Sequence, residues 1–112
     1  WLHEFGGLAE TAQIVLIFGS AVRNYDKAKD IDLLVIIGKK RYKEAKKFID
    51  EKNNISYKPI HPLIMTLSDL EKNLKNKNPA MINAIRESHV LHGHDKMIEV
   101  LRKQSFLAPL KW

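Results

Sequence analysis

From Ile14 to Ile37 the chain reads IVLIFGSAVRNYDKAKDIDLLVII, and this segment carries most of the sequence information about the fold. It begins with five apolar residues, Ile14 to Phe18, that predict a buried strand. Gly19 and Ser20 interrupt the apolar run, and a short helix can follow with Ser20 as its N-cap. A second apolar run, Leu33 to Ile37, predicts another strand. The segment therefore predicts two strands joined by a glycine turn and a short helix.

Polar residues stand on both sides of the connection between these strands. A strand that runs through Gly19-Ser20 into a helix N-terminus offers backbone N–H groups and the helix dipole to a phosphate. Arg23 follows Ser20 by three residues and can project toward the same anion. Asp30 and Asp32 are two residues apart, so their carboxylates should converge and favour a hard cation such as Mg²⁺. The segment thus predicts a phosphate site next to a magnesium site.

These residues together resemble a known signature. Gly19-Ser20, nine intervening residues and then Asp30-x-Asp32 is similar to the pattern of the nucleotidyltransferase superfamily that includes DNA polymerase beta, above all its minimal prokaryotic members. The resemblance implies an α/β fold, with a mixed β-sheet flanked by α-helices. The chain is long enough for one hydrophobic core, so residues 1-112 are expected to form a single domain.

The resemblance also implies roles for the polar residues. Gly19 and Ser20 would hold the β- and γ-phosphates of a nucleoside triphosphate, expected to be ATP. Arg23 would either contact the triphosphate or pair with one of the aspartates. Asp30 and Asp32 would be the catalytic residues and would bind two magnesium ions. Lys27 and Lys29 border this cleft and are interpreted as solvated loop lysines.

The reaction implied is metal-dependent transfer of a nucleoside monophosphate to an acceptor, with release of pyrophosphate. The acceptor, whether protein, RNA or small molecule, stays open. In the resembling family a third metal-binding carboxylate usually lies in the strand that matches Ile55 to Thr66, and this stretch contains no acid. His61 lies near that position, where it could assist a metal, contact a phosphate or have a structural role.

The missing acid supports an alternative hypothesis from a different functional class. The chain would then be a weak or inactive nucleotidyltransferase-like domain that binds nucleotide or protein. Its partner would be a helical protein, for example a toxin to which this chain is the antitoxin, or an attached DNA-binding domain. An acid supplied from the following segment, Asp69 or Glu71, would restore the site, but both are expected in the cap of the next helix.

Composition narrows the functional classes only slightly. Nineteen Lys and Arg against 13 Asp and Glu give a net charge of +6, which favours anionic partners, although solubilising lysines explain it equally well. The absence of cysteine fits a reducing cytoplasm. No apolar run is long enough to cross a bilayer, so no membrane partner is expected. The first residue, Trp1, leaves open that the chain is a fragment of a longer protein.

The rest of the chain predicts alternating helices and short strands, consistent with an α/β layer architecture. Pro59 and Pro62 predict that the strand from Ile55 to Thr66 is either interrupted or at a sheet edge. Ser68 and Glu71 predict a capping box at the start of a helix. The remaining predicted elements are helices over about Leu8–Gln13, Lys39–Asn53, Ser68–Lys75, Pro79–Ser88 and Lys96–Gln104, and a short strand or turn over His89–Gly93.

Two further features have open interpretations. His89, His92 and His94 could suggest a zinc site, but their spacing matches no strong metal motif. The tail from Ser105 to Trp112 is apolar for its length and is expected to pack on the domain, on a neighbouring domain, or on a second copy in a homodimer.

Overall fold

The computed structural model describes residues 6–103, without the side chains of residues 6 and 9. The tail from Ser105 to Trp112, which was predicted to pack on the domain, a neighbouring domain or a second copy, lies outside this range. The elements in chain order are β1 (Ala12–Phe18), α1 (Ser20–Arg23), β2 (Ile31–Ile37), α2 (Tyr42–Ile55), β3 (Ile60–Thr66), α3 (Leu67–Lys75), α4 (Pro79–Arg86), β4 (His89–His92) and α5 (His94–Lys103), with 3₁₀ turns at Gly6–Glu10 and Lys39–Arg41. None of the helices within residues 6–103 is long and apolar enough to cross a membrane.

The four strands form one mixed sheet in the order β3-β2-β1-β4. β1 is antiparallel to both β2 and β4, whereas β2 and β3 are parallel. β1 and β2 are central, which explains their nearly continuous apolar sequences, since a strand covered on both faces needs no polar alternation. β3 lies at an edge, as predicted from Pro62 within it and Pro59 directly before it. The mixed sheet with flanking helices confirms the predicted fold class.

Each face of the sheet has its own hydrophobic cluster. On one face, Val15 of β1 belongs to the same cluster as Ile49 of α2. On the other face, Leu16 of β1 belongs to a cluster that includes Leu70 of α3 and Met97 of α5. Because side chains alternate along a strand, Asp32 falls on the face covered by α3, α4 and α5. The half-buried Asp32 stands at the beginning of β2, where that hydrophobic cluster ends.

Several predicted boundaries differ from the structure. The capping box predicted at Ser68 and Glu71 was wrong. Thr66 is the N-cap of α3 and exchanges hydrogen bonds with Asp69. The cap lies two residues earlier because β3 runs directly into α3, so the last residue with extended backbone is Thr66.

Two other boundaries moved for similar reasons. The helix predicted over Leu8–Gln13 is a 3₁₀ turn that ends at Glu10, because the chain from Ala12 onward pairs with β2. The third strand was predicted from Ile55 but begins at Ile60, because α2 extends to Ile55. Asn53 was expected to end α2, but the helix continues to Ile55. The side-chain amide of Asn53 exchanges hydrogen bonds with the backbone of Ile60.

Replacing Thr66 with alanine is expected to lower the free energy of unfolding by about 1 kcal/mol, because the N3 amide of α3 loses its side-chain acceptor. Backbone and side-chain hydrogen bonds from Thr66 lower the pKa of Asp69. The stabilisation from this carboxylate is therefore present above its unfolded-state pKa and is lost as the pH falls through its lowered folded-state pKa. Urea unfolding of the unmodified chain and of Thr66→Ala, at neutral and at acidic pH, measures the loss of stability and its pH dependence. Ser68→Ala is the control, and an equal loss in that variant would contradict the assignment of the cap.

Candidate functional site

The turn after β1 is built around Gly19. This residue is the N-cap of α1 and has φ of 76° and ψ of −156°, a conformation that residues with a Cβ rarely adopt. Ser20 was predicted to be the cap, which was wrong: it is the first residue of α1. The reason is that the chain reverses at Gly19, where only glycine is free of steric strain. Ser20 is exposed at the start of the helix.

Gly19 lies directly against the carboxylate of Asp32. A Cβ atom added to Gly19 would lie 2.5 Å from Oδ2 of Asp32. This proximity follows from the register of the two central strands, in which Phe18 is opposite Asp32. The turn predicted to bind phosphate and the carboxylate predicted to bind metal therefore meet at one end of the sheet.

Asp30 and Asp32 lie close together, as their spacing predicted. Burial raises the pKa of Asp32, the nearby charge of Asp30 raises it further, and His61 opposes both effects. His61 is opposite Asp32 in the parallel pairing of β2 and β3. Its Nε2 atom lies 3.4 Å from Oδ2 of Asp30. The two carboxylates and the imidazole thus form one small cluster at the edge of the sheet.

Within residues 6–103, no third carboxylate completes this cluster. β3 contains no acid, and Asp69 is held by Thr66 in the cap of α3. Over residues 6–103, no group of three His, Asp or Glu side chains is arranged to hold a metal ion. The same finding covers His89, His92 and His94, so the structure gives no support to a zinc site there. Asp30 and Asp32 are therefore the carboxylates that the described structure places beside the glycine turn.

A basic groove of about 450 Å³ adjoins Gly19 and Asp30. Its lining residues are Ser20, Arg23, Asn24, Lys27, Ala28, Lys29 and Asp30. Arg23 forms an ion pair with Glu87 at 3.8 Å, in which both side chains are largely exposed, and not with the aspartates. Such an exposed pair is weak, so the guanidinium can turn into the groove. Lys27 and Lys29, interpreted from sequence as solvated, both line this groove.

Lys58 is a residue that the sequence analysis missed. Its ammonium group donates hydrogen bonds to the carbonyl oxygens of Ala28, at 2.7 Å, and Asp26, at 3.3 Å, and lies 4.9 Å from the ring centre of Tyr25. The backbone N–H of Ile31 donates to the carbonyl of the residue after Lys58. These contacts tie the loop that carries the basic groove to the segment before β3. No local pattern indicates them, because the partners are about thirty residues apart.

Replacing Lys58 with methionine is expected to lower the free energy of unfolding by about 1 kcal/mol, because the partly buried carbonyl group of Ala28 loses a charged donor. It should also increase amide hydrogen exchange in residues 24–30. Hydrogen exchange with mass spectrometry, together with urea unfolding, measures both effects. Lys47→Met, on the exposed side of α2, is the matched control. Unchanged exchange in the loop would contradict the role given to Lys58.

A comparison with known families agrees with this geometry. The model of the nucleotidyltransferase domain family matches residues 8–92, which extend from the first 3₁₀ turn to the end of β4. The match includes the glycine turn, both aspartates and His61. No curated protein and no solved structure matches the chain significantly. Because the family model covers most of the chain, the protein belongs to the nucleotidyltransferase domain family.

Proposed function

We propose that the protein is a metal-dependent nucleotidyltransferase that transfers a nucleoside monophosphate from a nucleoside triphosphate, preferably ATP, to an acceptor hydroxyl. The acceptor oxygen forms a bond to the α-phosphorus, the bond between the α-phosphorus and the bridging oxygen breaks, and pyrophosphate leaves. The contact between Gly19 and the carboxylate of Asp32 is the observation that carries this proposal. It brings a glycine turn and a metal-binding residue close enough to act on one triphosphate.

Asp30 and Asp32 fit a divalent cation. Burial and the charge of Asp30 both disfavour ionised Asp32, and a cation between the carboxylates would offset both effects. Mg²⁺ is commonly held by one or two carboxylates together with substrate phosphates and water, so two aspartates suffice for nucleotide-dependent binding. When bound, magnesium would neutralise the triphosphate and polarise the acceptor hydroxyl.

The other site residues bind and orient the phosphates. Backbone N–H groups at Gly19 and Ser20 would donate to the β- and γ-phosphates, because the first N–H groups of a helix have no partner within the helix. Arg23, Lys27 and Lys29 line the adjoining groove and attract the negatively charged triphosphate. Holding the leaving pyrophosphate in this groove would orient the α-phosphate toward the aspartates.

A second function is favoured by one observation. His61 lies opposite Asp32 and beside Asp30, in the strand that carries an acid in the resembling family. An imidazole 3.4 Å from the carboxylate of Asp30 occupies space that a cation bound there would need. The domain would then bind a nucleotide or a helical protein partner with little turnover.

Transfer of a labelled α-phosphate tests both functions. The protein is incubated with each α-labelled nucleoside triphosphate, with and without Mg²⁺, and with protein, RNA and small hydroxyl compounds as acceptors. Magnesium-dependent labelling of an acceptor supports the transferase. Magnesium-dependent nucleotide binding without labelling supports the binding module. Absence of both nucleotide binding and labelling would contradict the transferase and the nucleotide-binding module, and would leave binding of a protein partner as the function.

A further inference from the structure

A second cavity, apart from the basic groove, lies on the sheet face that carries Asp32. It has a volume of about 430 Å³ and lies between the edge of the sheet and helices α3 and α4. Its lining residues are Phe18, Leu34, Leu63, Met65, Asn73, Asn78, Ala80, Met81 and Ala84. None of these side chains is charged, in a chain whose net charge is +6.

The strand register places this cavity next to the aspartates. Phe18 is opposite Asp32, and Leu34 follows Asp32 by two residues on the same face of β2. Leu63 is opposite Leu34 in β3. Two residues of a strand span roughly 7 Å. The cavity therefore begins at a distance from the carboxylates that is similar to the width of the sugar ring between a base and its phosphates.

The two cavities match the two halves of a nucleoside triphosphate. The groove beside Gly19 carries arginine and lysine and suits the anionic triphosphate. The cavity beside Asp32 is apolar and uncharged and suits a flat ring rather than a phosphate-rich chain. We propose that this uncharged cavity is the subsite for the nucleobase of the bound nucleotide, an inference that rests on the proposed function.

Two asparagines give this cavity a fixed polar edge. Asn78 caps α4 through its Oδ1 atom and donates from Nδ2 to Oδ1 of Asn73 at 2.9 Å. Asn73 donates in turn to the carbonyl oxygen of Asp69 at 2.9 Å. Each amide nitrogen carries two hydrogens and each amide oxygen two lone pairs, so Asn73 keeps one donor and one acceptor for the edge of a base. Phe18 and Met65 supply apolar surface against the ring.

Comparing ATP with inorganic tripolyphosphate tests this subsite separately from the phosphate site. With Mg²⁺ present, isothermal titration calorimetry of the whole chain should show ATP binding about tenfold or more tightly than tripolyphosphate, because stacking of the base adds affinity. Ala84→Leu fills the cavity and should remove this advantage while tripolyphosphate binding stays unchanged. Ala80→Leu fills the cavity from its rim and replaces Ala84→Leu in this experiment if Ala84→Leu unfolds. Asn83→Leu, on the exposed face of α4, is the control.

The outcomes distinguish the proposed nucleobase subsite from the proposed nucleotidyltransferase function. Equal binding of ATP and tripolyphosphate by the unmodified chain would overturn the nucleobase subsite and leave the phosphate site standing. Unchanged ATP binding by a folded Ala84→Leu protein that no longer labels its acceptor would also overturn it, because the cavity would then belong to the acceptor. Failure of both ligands to bind would overturn the proposed function itself.

Discussion

Replacing Asp32 with asparagine is expected to reduce nucleotidyl transfer at least about a thousandfold, because the amide keeps the shape of the side chain but removes its charge. Asp32 is the half-buried carboxylate of the pair and adjoins the glycine turn. A neutral amide cannot hold a divalent cation beside the triphosphate with comparable strength. Transfer of labelled nucleotide to its acceptor, measured in the presence of Mg²⁺, gives the comparison. Asp26→Asn, in the same loop region but exposed, is the matched control.

The same substitution should stabilise the fold at neutral pH. Burial and the charge of Asp30 raise the pKa of Asp32 in the folded chain, so ionising Asp32 costs folding stability above its unfolded-state pKa. The cost develops as the pH rises from the unfolded-state pKa through the folded-state pKa, and it is absent in more acidic solution. Asp32→Asn should therefore unfold at higher urea concentration than the unmodified chain at neutral pH. Reduced stability together with lost transfer would instead indicate general damage to the sheet.

The central part of the fold was predictable because its signals are local. The apolar runs from Ile14 to Phe18 and from Leu33 to Ile37 predicted β1 and β2, and Pro59 and Pro62 indicated that β3 lies at an edge. The spacing of Asp30 and Asp32 predicted that they converge, since residues two apart on a strand share a face. The family resemblance on these residues was confirmed by the family match. The catalytic and binding roles given to individual residues stay predictions.

The parts of the site that the sequence did not reveal depend on long-range register. His61 was placed near the missing carboxylate, but its position opposite Asp32 results from the parallel pairing of β2 and β3. Lys58 reaches the loop before β2 from the segment before β3, a contact that no short pattern encodes. The helix caps at Gly19 and Thr66 were misplaced by one and two residues. The cap of α3 was misplaced because β3 runs directly into that helix, and the cap of α1 because the chain turns at Gly19, whose positive φ suits glycine.

Replacing Gly19 with alanine is expected to impair the turn proposed to bind the phosphates and to reduce nucleotidyl transfer about a hundredfold or more. The positive φ of this residue is unfavourable for alanine by about 1–2 kcal/mol. The added methyl group would also stand 2.5 Å from Oδ2 of Asp32, so the carboxylate or the turn must move. Both changes displace the backbone N–H groups from the phosphates or Asp32 from the cation.

Gly38→Ala separates this effect from the general loss of a glycine. Gly38 has φ of −72°, and a Cβ there would meet only Cγ of Arg41 at 3.9 Å, so alanine should be tolerated with transfer unchanged. Urea unfolding and label transfer are measured on both variants. Wild-type transfer by a folded Gly19→Ala protein would contradict the role of the turn. Since about 1–2 kcal/mol of strain leaves most small domains folded, lost transfer in folded Gly19→Ala would arise from the displaced contact between the turn and Asp32.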